Sequence, residues 1–164
     1  MATLHFLIGP VGAGKSTYAR RLCARAPALF LDVDTLMVRL YGADPRPAEG
    51  VLGWYLERRD RVRELVWDVA LDALDAGTDV HLELGLVTAA ERHAWLERAR
   101  GRDLAITVTL LDAPREVRRA RVAQRNLDRA PHTQQVPPTF FEAASDAWEP
   151  VTSEERERWS IALA

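Results

Sequence analysis

Short apolar runs alternate along this chain with longer stretches in which apolar residues recur at helical spacing. The run Leu4 to Ile8 predicts a first strand, and Ser16 to Ala26 a helix broken near Pro27. Ala28 to Val33 predicts a second strand that ends in acids, with Asp34 placed to cap a short helix through Tyr41. Two prolines and two glycines in "YGADPRPAEG", residues 41–50, predict a loop. Gly53 to Ala76 predicts a long helix, with Val62, Leu65, Val66, Val69, Ala73 and Ala76 on its apolar stripe. "DVHLELG", residues 79–85, predicts a third strand. Thr88 and Glu91 have the spacing of a capping box at the start of the next helix. Leu104 to Leu111 predicts a fourth strand, and Pro114 opens an Arg-rich helix to about Asn126. "NLDRAPHTQQVPP" predicts a loop, followed by a helix to about Trp148 and a last apolar run, "WSIALA".

Strands that alternate with helices predict parallel βαβ units with helices on both faces of one sheet, an α/β architecture. Ligands of such sheets bind beyond the carboxyl ends of the strands. The residues to inspect are therefore Gly9 to Thr17, Asp32 to Asp34, Glu83 to Gly85 and Asp112 to Pro114. No repeat or linker interrupts the pattern, so the reading is one domain over residues 1–164.

Composition narrows the chemistry. The net charge is −2, which argues against a surface built to coat nucleic acid. A single cysteine, Cys23, rules out an internal disulfide and suits a cytoplasmic location. No apolar segment is long enough to span a bilayer, so no membrane partner is expected. The chain has one lysine, Lys15; its other strong bases are all arginine.

That lysine lies in "GPVGAGKS", residues 9–16, which matches G-x-x-x-x-G-K-[ST] between a predicted strand and a predicted helix. Gly9, Gly12 and Gly14 allow backbone angles and close approaches that a β-carbon would block. The loop Gly9, Pro10, Val11, Gly12, Ala13 and Gly14, all of which but Pro10 carry a backbone N–H, and the helix start at Lys15, Ser16 and Thr17 suit an anion nest of the kind that holds a triphosphate. Lys15 suits the β- and γ-phosphates as a compact charge, a slot the planar guanidinium of arginine does not fit. The Ser16 hydroxyl is the candidate Mg²⁺ ligand. The motif thus predicts ATP and Mg²⁺ as the bound pair.

The use made of the triphosphate rests on acids and arginines. Transfer to an alcohol needs a carboxylate that orients the hydroxyl and takes its proton. Asp34, just beyond the second strand, is the candidate base, with Asp32 two residues earlier on the same strand face as its support, as a metal-water ligand or as a substrate contact. Glu83 stands at the end of the third strand, suited to metal-bound water or to substrate, whereas His81 lacks an evident partner and reads as structural. In the helix "APREVRRARVAQRN", Arg121 and Arg125 lie four apart on one face and are the candidates for the γ-phosphate, ahead of Arg115 and Arg118. Arg39 and Tyr55 flank the expected acceptor side, a region that also holds Tyr41, Trp54 and Arg58.

The P-loop "GPVGAGKST", the "DVDT" after the second strand, the Arg-rich helix after "LLDAP" and the late "WEP" resemble the small P-loop kinases of the zeta-toxin, chloramphenicol-phosphotransferase and polynucleotide-kinase type. The resemblance implies a three-layer P-loop NTPase fold with a five-stranded parallel sheet in the order 2-3-1-4-5, which makes "WSIALA" the fifth strand. It implies Asp34 as general base, Lys15 and arginines of a lid helix on the γ-phosphate, and adenine near the "PHTQQVPP" to "WEP" region. One departure bears on substrate: Val33 precedes Asp34 and Met37 stands where the polynucleotide kinases tend to carry arginine.

The expectation is a kinase that moves the γ-phosphate of ATP to a hydroxyl of a small antibiotic-like, nucleoside or sugar-nucleotide acceptor, working as monomer or homodimer. The alternatives are a 5′-hydroxyl polynucleotide kinase, which would need a basic groove with stacking aromatics, and a non-catalytic ATP-binding regulatory module, which would have no use for Asp34.

Overall fold

The computed structural model describes residues 1–128 and 135–164. Residues 129–134 of the loop expected over "NLDRAPHTQQVPP", which include the "PHTQ" end of the region expected near adenine, lie outside the described residues, and 126–128 continue the Arg-rich helix. Among the described residues, five parallel strands form one sheet: β1 Leu4–Ile8, β2 Ala28–Asp32, β3 Asp79–Glu83, β4 Ile106–Leu110 and β5 Ala162–Leu163, in the order β2-β3-β1-β4-β5. This is the P-loop NTPase type of α/β sheet. The helices are α1 Lys15–Cys23, α2 Val33–Tyr41, α3 Val51–Asp75, α4 Ala89–Arg100, α5 Arg115–Asp128, α6 Pro138–Ala147 and α7 Ser153–Trp159. No described helix is long and apolar enough to cross a membrane.

Alternation along the strands sorts the side chains into two layers. Leu4, Phe6 and Ile8 of β1 face one way, into a core with Val33 and Met37 of α2, Val62, Val66 and Trp67 of α3, and Leu96 of α4. Leu7 faces the other way, against Ala19 of α1 and Leu111. A third, smaller cluster of Val122, Val136 and Phe141 with Val11 glues α5 and α6 to the P-loop.

Three local expectations are corrected. The buried stripe of α3 is Val62, Arg63, Val66, Trp67 and Ala70, while Leu65 and Val69 are exposed. The periodicity was legible, but Trp67 and a buried arginine set its phase. Only Ala162 and Leu163 of "WSIALA" pair with β4, because Trp159 closes the extra helix α7, which Thr152 caps through Glu155 N–H. The cap of α2 is Asp32 instead of Asp34. The strand ends one residue earlier than the apolar run, so Val33 is the first helical residue and buries its side chain against β1. The capping box Thr88/Glu91 is present as expected.

Candidate active site

The β1–α1 turn is built by sterics. Gly9 has φ 146°, and a β-carbon there would meet the Leu111 carbonyl oxygen at 2.0 Å. Gly12 has φ 78°, and its β-carbon would meet the Arg118 carbonyl oxygen at 2.8 Å. Both positions admit only glycine. The turn folds around Lys15, which is buried: its Nζ donates to the carbonyls of Gly9 at 2.8 Å and Pro10 at 3.1 Å. The same ammonium lies 3.2 Å from Glu83 Oε1, and the Ser16 hydroxyl donates to Glu83 Oε2 at 3.1 Å. Burial pushes the Glu83 carboxyl up to about 7, against the pull of Lys15.

Two acids close the adjacent side of the cleft and have separate duties. Asp32 Oδ1 accepts from the Asp34 N–H at 3.0 Å and the Thr35 N–H at 3.4 Å, and Oδ2 accepts from the Thr35 hydroxyl at 2.8 Å. Capping thus occupies Asp32 and leaves the Asp34 carboxyl to the cleft, where it is open to solvent between walls of protein. Those walls push its pKa up, and the Asp32 charge adds to the rise; Lys15, Arg125 and Arg63 oppose it. Tyr55 of α3 faces the same space. Its own burial and the Asp34 charge push its phenol up to about 12.

Next to these lies an arginine frame. Arg63 is buried; its Nε donates to the Leu84 carbonyl and Nη2 to the Gly85 carbonyl, each at 2.8 Å, and Nη1 reaches Glu91 at 2.9 Å. One side chain thereby fixes the turn after β3. Glu91 also lies 3.4 Å from the Arg59 guanidinium, which lines the cleft.

The Arg-rich helix α5 divides its cations by face. Arg121 Nη1 donates to the Ala13 carbonyl at 3.2 Å, and Arg121 and Arg125 both line the cleft. The buried Nε of Arg125 has no partner among the described residues. Arg118 is instead a brace: Nη1 donates to the Val11 carbonyl at 3.0 Å and to the Ser145 hydroxyl at 3.1 Å, and Nε to the Ala113 carbonyl at 3.0 Å. Arg115 and Arg119 pair with Glu142 of α6 at 2.5 and 2.7 Å, and these bonds, Arg119's first, hold the Glu142 carboxyl down at about 2.

One cleft of about 790 Å³ collects Gly9 through Thr17, Asp32, Asp34, Tyr55, Glu83, Arg121 and Arg125, a volume within the usual range for small ligands. Arg39 is not among its lining residues. It sits exposed on the last turn of α2, five residues beyond Asp34, and so about 140° around the helix from it. Of the aromatic region expected on the acceptor side, Tyr55 faces the cleft, whereas Trp54 is flanked by Arg46 at 4.3 Å and Arg58 at 4.1 Å and meets Tyr41 edge-on. Sequence reasoning missed Arg59 and Val87 as lining residues; Gly85 was among the residues to inspect, and the region expected near adenine contributes Phe140 and Trp148 to the same lining. The last two had a signal: Val136, Phe140, Ala144 and Trp148 recur every four residues, and all four line the cleft.

Comparison with known proteins agrees with this architecture. A family model described as an AAA domain matches residues 4–150. The shikimate kinase of Photobacterium profundum is 33% identical over 133 residues, covering 74% of this chain and 76% of that protein. Among solved structures, the Pnkp1/Rnl/Hen1 RNA repair complex superposes with a TM-score of 0.65 at 19% identity, over 96% of this chain and 46% of that one. A gluconokinase from Sinorhizobium meliloti 1021 superposes with a TM-score of 0.55 at 15% identity, over 99% of this chain and 81% of that one. At these identities the structures speak to the fold alone; the sequence relative speaks to kinase activity.

Proposed function

The chain belongs to this AAA-domain family of P-loop proteins and is a kinase, and from that premise we propose an ATP-dependent phosphotransferase that uses Asp34 as general base on a hydroxyl of a small acceptor. The observation that carries the reading is the division of labour at the start of α2. Asp32 takes the capping bonds, and Asp34 is held free in the same cleft as Lys15.

The reaction follows from the positions. The triphosphate lies in the Gly9–Thr17 cradle, with α1's unpaired N–H groups and its positive end on the phosphates. Lys15 exchanges its carbonyl partners for phosphate oxygens. Arg121, and Arg125 whose Nε has no partner among the described residues, meet the γ-phosphate from the other side and spread its transition-state charge. The acceptor hydroxyl points at Asp34. Its O–H bond breaks toward the Asp34 carboxylate, the new O–P bond forms, and the bond from the γ-phosphorus to the bridging oxygen breaks to leave ADP. Mg²⁺ neutralises phosphate charge when bound. The chain offers it the Ser16 hydroxyl, backed by Glu83. Among the described residues no three acidic, His or Cys side chains form a cage, which suits a cation that keeps most of its shell as water and phosphate.

The acceptor side is bounded by Asp34, Tyr55, Arg59 and Gly85. Arg59 brings a guanidinium to a space otherwise edged by the Asp34 carboxylate, the Tyr55 hydroxyl and the Gly85 backbone. That composition and the relative named for shikimate favour a small hydroxylated acid over the antibiotic-like, nucleoside or sugar-nucleotide acceptors that the sequence alone suggested. The test is a panel incubated with Mg²⁺ and ATP: shikimate, sugar acids, nucleosides, antibiotics and a 5′-hydroxyl oligonucleotide, read by mass spectrometry. A phosphorylated small molecule is the expected result. Phosphate on the oligonucleotide alone replaces this reading with polynucleotide kinase, and ATP binding with no transfer to anything replaces it with a regulatory module.

A further inference from the structure

The segment after α6 is bound far from its own helix by one buried side chain. Arg92 of α4 is fully buried. Its Nε and Nη2 pair with the two carboxylate oxygens of Glu155 at 2.5 and 2.9 Å. Its Nη1 donates to two carbonyls at once, Val87 at 3.2 Å and Glu149 at 3.0 Å. Its guanidinium also lies over the Trp148 ring at 4.9 Å from the centroid. The Glu149 N–H donates to the Val87 carbonyl at 3.1 Å, and the Ala89 N–H donates to the Glu149 carboxylate at 2.7 Å. Trp148 is thereby fastened to the turn between β3 and α4, the same turn that Arg63 grips at Leu84 and Gly85. Both Trp148 and Val87 line the cleft.

We infer that Trp148 is a specificity-determining wall of the acceptor subsite, and that Arg92 is the positioning residue that sets it. The inference rests on the small-acceptor reading above. The fastening decides the side: Trp148 is tied to the turn that borders Asp34, Tyr55 and Arg59, whereas Val11, Val122 and Val136 cluster apart from it under α5 and α6. The guanidinium takes one face of the indole. The ring packs in part on the main core and in part lines the cleft, and a cation already against it weakens its attraction for a second one. A wall of this kind favours a neutral or anionic acceptor that presents the CH face of a ring, and disfavours polyamine-like acceptors.

The test measures two affinities for each variant. Trp148→Ala is expected to raise KM for the best acceptor of the panel by about tenfold, with the affinity for mant-ATP, measured without acceptor, unchanged. Trp148→Phe is expected to recover most of the loss. Arg92→Lys keeps the charge but loses the two-pronged pairing, so it should raise acceptor KM more than it lowers kcat; Trp148→Ala carries the test alone if that variant does not fold. A mant-ATP affinity weakened about tenfold in Trp148→Ala, with or without turnover of any acceptor, overturns the inference and makes Trp148 a nucleobase wall. An unchanged acceptor KM overturns it too. Failure of the wild-type protein to phosphorylate any small molecule is a different result: it strikes the proposed function, and the mant-ATP measurement still decides on which side Trp148 stands.

Discussion

Lys15 and Glu83 meet at 3.2 Å on the cleft floor, and the second oxygen of the same carboxylate holds the Ser16 hydroxyl. The two residues to which phosphate and metal are assigned thus share one acid. Burial raises that acid to about 7, so between about pH 4.5 and 7 the folded protein binds more protons at Glu83 than the unfolded chain does. Glu83's contribution to stability is full below that window and is lost as pH rises through it. In thermal scans from pH 5 to 8 without nucleotide, Tm of the wild type should fall relative to that of Glu83→Gln. Parallel curves for the two proteins would count against a raised Glu83.

Asp34→Asn should lower kcat by about 10²- to 10⁴-fold and leave mant-ATP affinity within about twofold of wild type. Asp32→Ala should behave differently, weakening the α2 cap by about 1 kcal/mol with a smaller effect on turnover. Urea denaturation beside steady-state kinetics separates the two acids. Equal kinetic losses would mean that the base is shared.

The arginines of α5 divide into a cleft-facing pair, proposed to meet phosphate, and a brace. Arg125→Ala should reduce kcat by at least about tenfold without loss of stability, because its Nε has no partner to lose among the described residues. Arg118→Ala should cost about 2–4 kcal/mol of stability, because it frees the Val11 and Ala113 carbonyls. Chemical denaturation and kcat on both variants test the pair; a stable, fully active Arg118→Ala would show that the brace is dispensable.

His5 and His81 stack at 4.6 Å on neighbouring strands, and burial holds both pKa values below the ordinary histidine value. Folded-state values below the unfolded one mean stability that is present above about pH 6.5 and lost as pH falls below it. The His81 Nδ1 is buried without a partner among the described residues. His81→Leu should therefore be neutral or more stable by up to about 1 kcal/mol near neutral pH, and should lose part of the acid sensitivity. A less stable variant with an unchanged pH profile would refute the assignment.

Gly9→Ala should destabilise by about 2 kcal/mol or more, since its new methyl group collides with backbone and no side chain can yield. Circular dichroism melts should show that loss even with saturating ATP.

Much of this was written in short-range patterns. The glycines and Lys15 occupy fixed spacings, Thr88 and Glu91 declare their capping box, and strand–helix alternation gives the layers. The rest depended on where a strand stops and which way a helix is turned. One residue of difference at the end of β2 moved the cap from Asp34 to Asp32 and changed what the second acid can do. Arg39 is close to Asp34 along the chain and remote from it around the helix. No local pattern marks Arg63 or Arg92; only long-range packing, across 21 and 63 residues to Leu84 and Glu155, shows them as interior struts.

The Arg118 brace also fixes how any closing stroke over a bound triphosphate is geared. The foot of α5 is moored to Val11 in the P-loop and to Ser145 in α6, and Arg115 and Arg119 moor it again to Glu142. Arg121 holds the Ala13 carbonyl and Val122 packs with Val11 and Phe141, so a stroke that keeps all these moorings pivots beyond Val122, and its arm is the last six residues to Asp128, about 9 Å of helix. Arg121 sits near the fulcrum and travels little; Arg125 rides a full turn farther out. Two arginines on one face thus have unequal reach, and under the proposed function the inner one registers the phosphate while the outer one arrives with the stroke.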